Sequence, residues 1–278
     1  MSLKFTRRGI LQFGAGLAAA GQRASFAAEG APGEFRLGIA SYSFREFQRK
    51  MTISMINQLG IRYVSVKEFH LPYTLSAADA AKATGEFKKA GLTIVSGGNI
   101  SLQDEDPAAL KRMFQYAKAC GMPMMVCAPT HRTLPTVEKL AKEFDMKMAI
   151  HNHGPEDKHF PTPQSVLEAV KGMDARMGLC MDVGHSMRTG IDVVQAIAAA
   201  GPRLLDMHIK DLKSATDKGS QCDVGEGVMP VVAIFKQLKK MKYAGCVNLE
   251  YEINAENPLP GMHRSIGYLK GVQAALAG

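Results

Sequence analysis

Gly178-Leu179-Cys180-Met181-Asp182-Val183-Gly184-His185 decides how this chain is read: a short apolar run ends on an acid, and a histidine follows three residues later. Runs of this length, rich in apolar and β-branched residues and followed by helical spacing, read as strands. The plan repeats on both sides. Strand candidates are Arg36 to Ala40, Tyr63 to Lys67, Thr93 to Ser96, Met124 to Cys127, Met148 to His151, Gly178 to Asp182, Leu204 to Ile209 and Cys246 to Glu250, eight in all. Helix candidates lie near 48–59, 76–90, 105–120, 135–144, 163–172, 190–200, 229–241 and 262–276, with Met55, Ile56 and Leu59 marking one apolar face. Eight strand-helix pairs in ~245 residues, without a long linker, match a single (β/α)₈ TIM barrel over 29–278. Alternation alone does not exclude an open doubly wound sheet. Gly97-Gly98 lacks the remaining glycine of a GxGxxG phosphate fingerprint.

The 278 residues are 46% hydrophobic and 22% charged, enough to bury a sizeable core. The formal charge is +8, but Lys4, Arg7, Arg8 and Arg23 stand in an acid-free leader; residues 29–278 keep 30 of the 34 basic groups against 26 acids, or +4. That near balance argues against a nucleic-acid partner. Thr6-Arg7-Arg8-Gly9-Ile10-Leu11-Gln12, an apolar run to Ala20 and the small-residue exit Ser25-Phe26-Ala27 resemble a twin-arginine export signal over 1–28. The expected location is periplasmic, with no membrane contact beyond export. Cys120, Cys127, Cys180, Cys222 and Cys246 form no CxxC and read mostly as buried thiols.

All eight histidines fall at or beyond the C-terminal end of a proposed strand: His70, His131, His151, His153, His159, His185, His208 and His263. A barrel places its active site on that rim. Asp182 and Glu250 end the sixth and eighth strands. Imidazoles and carboxylates at neighbouring strand ends, ~4.8 Å apart, can surround one dication, so His151, Asp182, His208 and Glu250 are the expected metal ligands. Lys67-Glu68-Phe69-His70 adds a cation and an imidazole, either as sugar contacts or, for Lys67, as a rim ion pair. His208 and Lys210 share one side of a strand, so both can face the site. In His151-Asn152-His153-Gly154-Pro155-Glu156-Asp157, His153 turns inward only if the strand runs on past His151.

At these residues the sequence resembles the sugar phosphate isomerase/epimerase family with a xylose isomerase-like barrel, in a twin-arginine-exported branch. The resemblance covers about residues 34–278. It rests on Val66 to Pro72, Ala149 to Pro155, Asp182-Val183-Gly184-His185, His208-Ile209-Lys210-Asp211, Val224-Gly225-Glu226-Gly227 and Leu249 to Glu252. It implies a metal at the ends of strands five to eight, where related ketose epimerases carry Glu, Asp, His and Glu. Those places map onto His151, Asp182, His208 and Glu250, with His185 and Asp157 where the relatives bind substrate. His151 departs from the pattern. In the relatives the two glutamates shuttle a proton beside a carbonyl; here Glu250 or His151 would move it, although a ligated imidazole has no lone pair left to do so. His70, His153, Lys67 and Lys210 are expected to contact the substrate. Two imidazoles soften the ligand set, so Zn²⁺, Fe²⁺, Co²⁺ or Ni²⁺ would suit it as well as Mn²⁺.

The first functional reading is a metal-dependent isomerase or epimerase of a free or oxidised sugar, with a small carbohydrate as partner. The same proton abstraction begins a β-elimination, so a 3-keto-glycoside lyase or hydratase stands close behind. Abasic-site endonucleases share the barrel but require more metal ligands and a basic groove. The departure at His151 also keeps a non-catalytic periplasmic sugar-binding barrel in view. Leu212 to Asp223 reads as a lid, a homodimer contact or both.

Overall fold

The computed structural model describes residues 35–277; the leader assigned to 1–28 lies outside the described residues. Eight parallel strands close a barrel: β1 (Arg36–Ala40), β2 (Tyr63–Val66), β3 (Thr93–Leu102), β4 (Met124–Pro129), β5 (Lys147–His151), β6 (Met177–Asp182), β7 (Leu204–Ile209) and β10 (Cys246–Leu249). β1 pairs with both β2 and β10, which closes the sheet and removes the open doubly wound alternative. Every residue of β6 is buried, as a strand with a filled barrel on one side and helices on the other requires.

The helices are α1 (Arg49–Gln58), α2 (Ala77–Lys89), α3 (Pro107–Ala119), α4 (Leu134–Glu143), α5 (Pro163–Ala169), α6 (Val183–Met187), α7 (Val193–Ala200), α8 (Val231–Lys240) and α9 (Leu259–Ala277). Their starts are written in the sequence. Asp106 accepts from the N–H groups of Ala108 and Ala109 to open α3, and Asp192 does the same for Val194 and Gln195 in α7. Val231, Ile234, Phe235 and Leu238 of α8 recur at helical spacing and are buried, each worth about 1.5–3 kcal/mol of apolar burial. Phe35 meets Phe235 edge-on at 4.7 Å between centroids, tying the entry to β1 onto this helix. Inside the barrel a smaller apolar group, Met124, Val126, Ala149 and Cys180, fills the space beneath the C-terminal rim. All five cysteines are free and buried. Among the described residues no helix is long and apolar enough to cross a membrane.

Three elements differ from the sequence expectation. β3 runs on from Ser96 to Leu102 through a register shift between Gly97 and Ile100, so the glycine pair marks a bulge rather than a strand end. Gly98, at φ +136°, lies where a Cβ would run into the Val126 carbonyl. Helix α6 is short and begins directly on Asp182, whose Oδ1 accepts from His185 N at 2.8 Å. The segment from Leu212 to Asp223 is tied down by the strands β8 (Asp211–Leu212) and β9 (Gln221–Cys222). Gln221 there donates to the Glu250 carbonyl and accepts from Glu252 N. Buried Asp211 accepts from the amides of Gly225, Gly227 and Met229, which explains the Val-Gly-Glu-Gly stretch as a loop wrapped on a carboxylate.

Candidate functional site

Strand pairing brings four separated residues together. Asp182 stands opposite His208 across β6 and β7, His151 opposite Cys180 across β5 and β6, and Asn248 beside His208 across β10 and β7. Glu250, two residues past Asn248, therefore rises on the same side. His151 Nε2 lies 3.0 Å from His208 Nδ1 and 3.7 Å from Asp182 Oδ2, while His208 Nδ1 lies 3.2 Å from Glu250 Oε2. One donor atom from each of the four falls within 4.8 Å of all the others. All four side chains are buried.

Lys210 completes the cluster. Its Nζ is 2.8 Å from Glu250 Oε2, 2.7 Å from Glu252 Oε2 and 3.0 Å from Asp182 Oδ2, the last an ionic contact without hydrogen-bond geometry. Burial opposes charge on Lys210, but the three carboxylates outweigh it and hold the ammonium well above its ordinary range. Burial likewise opposes ionisation of Glu250, and His208 and Lys210 overcome it, keeping the carboxylate well below its usual value. Burial and the surrounding imidazoles push His151 well down, so it is neutral.

The donor set fits a dication. Without an ion, His208 is held protonated against its burial, its pKa raised well above the usual range by Cys180 and Glu250. A ligating imidazole is neutral, and once that proton leaves, Asp182, Glu250 and the part-exposed Glu252 against Lys210 leave two negative charges. Asp182 Oδ2 and the far ring nitrogens His151 Nδ1 and His208 Nε2 make no hydrogen bond. Ligands about 2.0–2.2 Å from Zn²⁺ stand about 3.0–3.5 Å apart; the His151–His208 and His208–Glu250 separations of 3.0 and 3.2 Å already match this, and His151–Asp182 at 3.7 Å is slightly longer. Cys180, one layer down, forms a softer second grouping with His151 and His208.

Above the cluster, His153 and His185 flank His151, with ring centroids 4.3 and 5.9 Å from it. β5 ends at His151, yet the turn through Gly154 still delivers His153. Asp157 holds His153 Nδ1 at 3.1 Å and is itself held by the amides of His159 and Phe160. Asp157 thus stands behind His153 rather than against a ligand. Asn99 Nδ2 lies 2.8 Å from His153 Nε2. Lys67 donates to the Asn99 carbonyl and pairs with Glu68 at 3.1 Å, so the rim ion pair is present together with a link to the site. Burial lowers the His185 pKa.

His70 is the expectation the structure overturns. It is fully buried away from the cluster; its Nδ1 meets Ser41 Oγ and its Nε2 meets Thr52 Oγ1 and the carbonyls of Phe44 and Phe47. It braces the turn after β1 and has no ring atom left for a sugar. Sequence reasoning also missed Glu252, Arg188 and Asn99. Alternation from Glu250 would have found Glu252, and helical spacing from His185 would have found Arg188, whereas nothing local marks Asn99.

A cavity of about 770 Å³ opens at the opposite mouth, where Arg36, Thr93, Met124 and Lys147 begin or flank strands. No histidine or carboxylate lines it, in contrast to the rim that carries His151, Asp182, His208 and Glu250.

Two neighbours of the cluster yield predictions. A Cβ on Gly184 would sit 2.7 Å from Lys210 Cγ, and Lys210 is fixed by its carboxylates. Gly184→Ala should cost about 1–3 kcal/mol in denaturant unfolding; an unchanged midpoint would show that Lys210 is free to shift. Beneath the cluster, Asp206 accepts from Ser96 Oγ and Asn248 Nδ2, each at 2.8 Å. Burial pushes its carboxyl from 3.8 to about 6. Between those values the folded state keeps a proton that the unfolded chain has lost, so stability falls as pH rises through them. Asp206→Asn removes this penalty and should gain about 1 kcal/mol on the wild type between pH 5 and pH 8. Parallel unfolding curves at the two pH values would refute this.

Residues 53–272 match the model of the family described as xylose isomerase-like TIM barrel. No curated protein matches the chain. Among solved structures, an uncharacterized protein from Parabacteroides distasonis is 27% identical, covering 85% of this chain and 98% of its own, with a TM-score of 0.67. A D-psicose 3-epimerase in the presence of D-fructose is 18% identical, covering 88% and 100%, at TM-score 0.69. The IolI protein with a bound zinc atom is 17% identical, covering 87% and 99%, at TM-score 0.72. The last two likenesses are of fold alone.

Proposed function

We propose, since the chain belongs to the xylose isomerase-like TIM barrel family, that it is a metal-dependent isomerase or epimerase of a free or oxidised sugar, exported by its twin-arginine leader to the periplasm. The observation that carries this reading is the buried His151, Asp182, His208 and Glu250 cluster, whose two carboxylates, with Glu252 beside them, outnumber the single Lys210 ammonium once the imidazoles are neutral, at the rim where strands end. The epimerase and the zinc-bound neighbour support the substrate class and the metal respectively.

His151, Asp182, His208 and Glu250 would hold the ion. When bound, it supplies Lewis acidity to sugar oxygens and so acidifies the C–H beside a carbonyl. Glu250, kept ionised by Lys210, takes that proton at a carboxylate oxygen. Lys210 fixes the carboxylates, and His153 and His185 orient sugar oxygens from above.

One observation favours a second reading, β-elimination from a 3-keto-glycoside. His151 stands where the first glutamate of a two-carboxylate scheme would be, and its Nε2 is turned into the cluster toward His208. A single ionised carboxylate suits one-sided abstraction followed by loss of a β-substituent.

Elemental analysis of the purified protein, followed by incubation with oxidised and unoxidised glycosides under mass detection, tests the proposal. An epimerase conserves mass and a lyase releases aglycone or water. Lack of stoichiometric metal would remove its foundation.

A further inference from the structure

Arg188, at the end of α6, has a side chain only 4% exposed. It makes a two-pronged ion pair with Glu156, at 2.6 and 2.9 Å, across the mouth of the His151–Asp157 segment. The same guanidinium places Nη2 2.8 Å from His185 Nδ1 and 3.4 Å from the His153 carbonyl. Room for it is built in: Gly154 has φ +84°, and a Cβ there would lie 2.6 Å from Arg188 Nη2.

A guanidinium has only N–H donors. The ring nitrogen facing it must therefore present its lone pair, which leaves the single proton of a neutral imidazole on Nε2. His153 is held the opposite way: its Nδ1 faces the Asp157 carboxylate and carries the proton, and its Nε2 faces the Asn99 amide nitrogen. The two rings stand 5.8 Å apart beside His151, and His185 Nε2 makes no hydrogen bond among the described residues.

We propose that Arg188 is a positioning residue that locks His185 in its Nε2–H tautomer, so that the site offers a fixed donor to an acceptor-only oxygen and selects the carbonyl form of a sugar over the corresponding alcohol. The selectivity for an oxidised substrate rests on the function proposed above; the tautomer does not. A carbonyl oxygen accepts from Nε2–H at no cost, whereas a hydroxyl there must turn its own proton elsewhere.

The test uses ¹⁵N-histidine NMR of the full chain, metal-free and Zn²⁺-loaded, with Arg188→Lys and the charge swap Glu156→Arg/Arg188→Glu. Wild type and Arg188→Lys, which keeps a donor, should show the His185 proton on Nε2. The swap retains the ion pair but faces Nδ1 with a carboxylate, so the proton should move to Nδ1. Binding of a 3-keto-glucoside, relative to the unoxidised glucoside, should weaken about tenfold in the swap, with zinc content unchanged. Nδ1–H in the wild type, or Nε2–H persisting in a folded swap, overturns the proposal. The expected tautomers with equal affinity for the two glycosides would overturn the selectivity. Loss of zinc from all variants alike, with the tautomers as expected, would count against the metal reading and leave Arg188 its role.

Discussion

Glu250→Gln is expected to lower turnover of an oxidised sugar by about 10²–10⁴-fold, the range for loss of a positioned general base. The substitution keeps the side-chain shape, an oxygen for Lys210 and one possible donor to an ion, and it removes the basic oxygen. Lys210 retains Asp182 and Glu252, so the cluster should still assemble, and metal content under saturating metal should stay near that of the wild type. The comparison must therefore be made on metal-loaded protein, with turnover followed by mass and by solvent-deuterium incorporation at the exchanging carbon. Unchanged turnover would exclude Glu250 as the base, whereas no turnover by the metal-loaded wild type itself would favour a sugar-binding barrel.

The deuterium readout also separates the two reactions. An epimerase returns the exchanged proton to carbon and leaves label in product and substrate, whereas elimination yields product without the β-substituent. In both, His151 differs from a second glutamate in a way that matters physically. A carboxylate can ligate through one oxygen and remain basic at the other, but an imidazole that ligates through Nε2 keeps on Nδ1 a proton rather than a lone pair. His151 Nδ1 is buried without a partner, which gives such a proton no route to a substrate.

Much of the fold was legible because a parallel barrel repeats one rule eight times. Each strand needs an apolar run buried on both faces, and each crossover needs an amphipathic helix; small errors at single elements, such as the early end assigned to β3, do not alter the count. The juxtaposition of the candidate ligands was legible for a related reason. His151, Asp182, His208 and Glu250 all fall at strand ends, and closure brings strand ends together whatever the loops do. Residues beyond the strands were harder. His70 sits four residues past β2, where a rim position and a brace under the turn after β1 look alike in sequence, and only its contacts with Ser41 and Thr52 decide. Asn99 reaches His153 because a bulge carries β3 onward, and no pattern of alternating side chains foretells a bulge.

Lys210→Met should produce two effects of opposite sign. In metal-free protein the ammonium is the cation shared by Asp182, Glu250 and Glu252 at 2.7–3.0 Å. Removing one partner of a buried ionic group while leaving the others charged typically costs about 3–5 kcal/mol. The metal-free variant should accordingly unfold at markedly lower denaturant, the more so above the ordinary carboxylate pKa, where Asp182, Glu250 and Glu252 would repel one another. A dication entering the cluster meets the same oxygens that the ammonium holds. In the wild type its binding works against a fixed positive charge; in the variant that charge is gone and the unrelieved carboxylates favour it. Zn²⁺ should bind the variant more tightly, and its stabilisation at a given free concentration, RT ln(1 + [L]/Kd), should exceed that of the wild type. The measurement is urea unfolding with and without zinc for both proteins. A variant as stable as the wild type without metal, with no larger gain on adding it, would show that the ammonium and the ion do not share these carboxylates. The charge balance behind the metal assignment would then fail, and the assignment would rest on the geometry of the four donors alone.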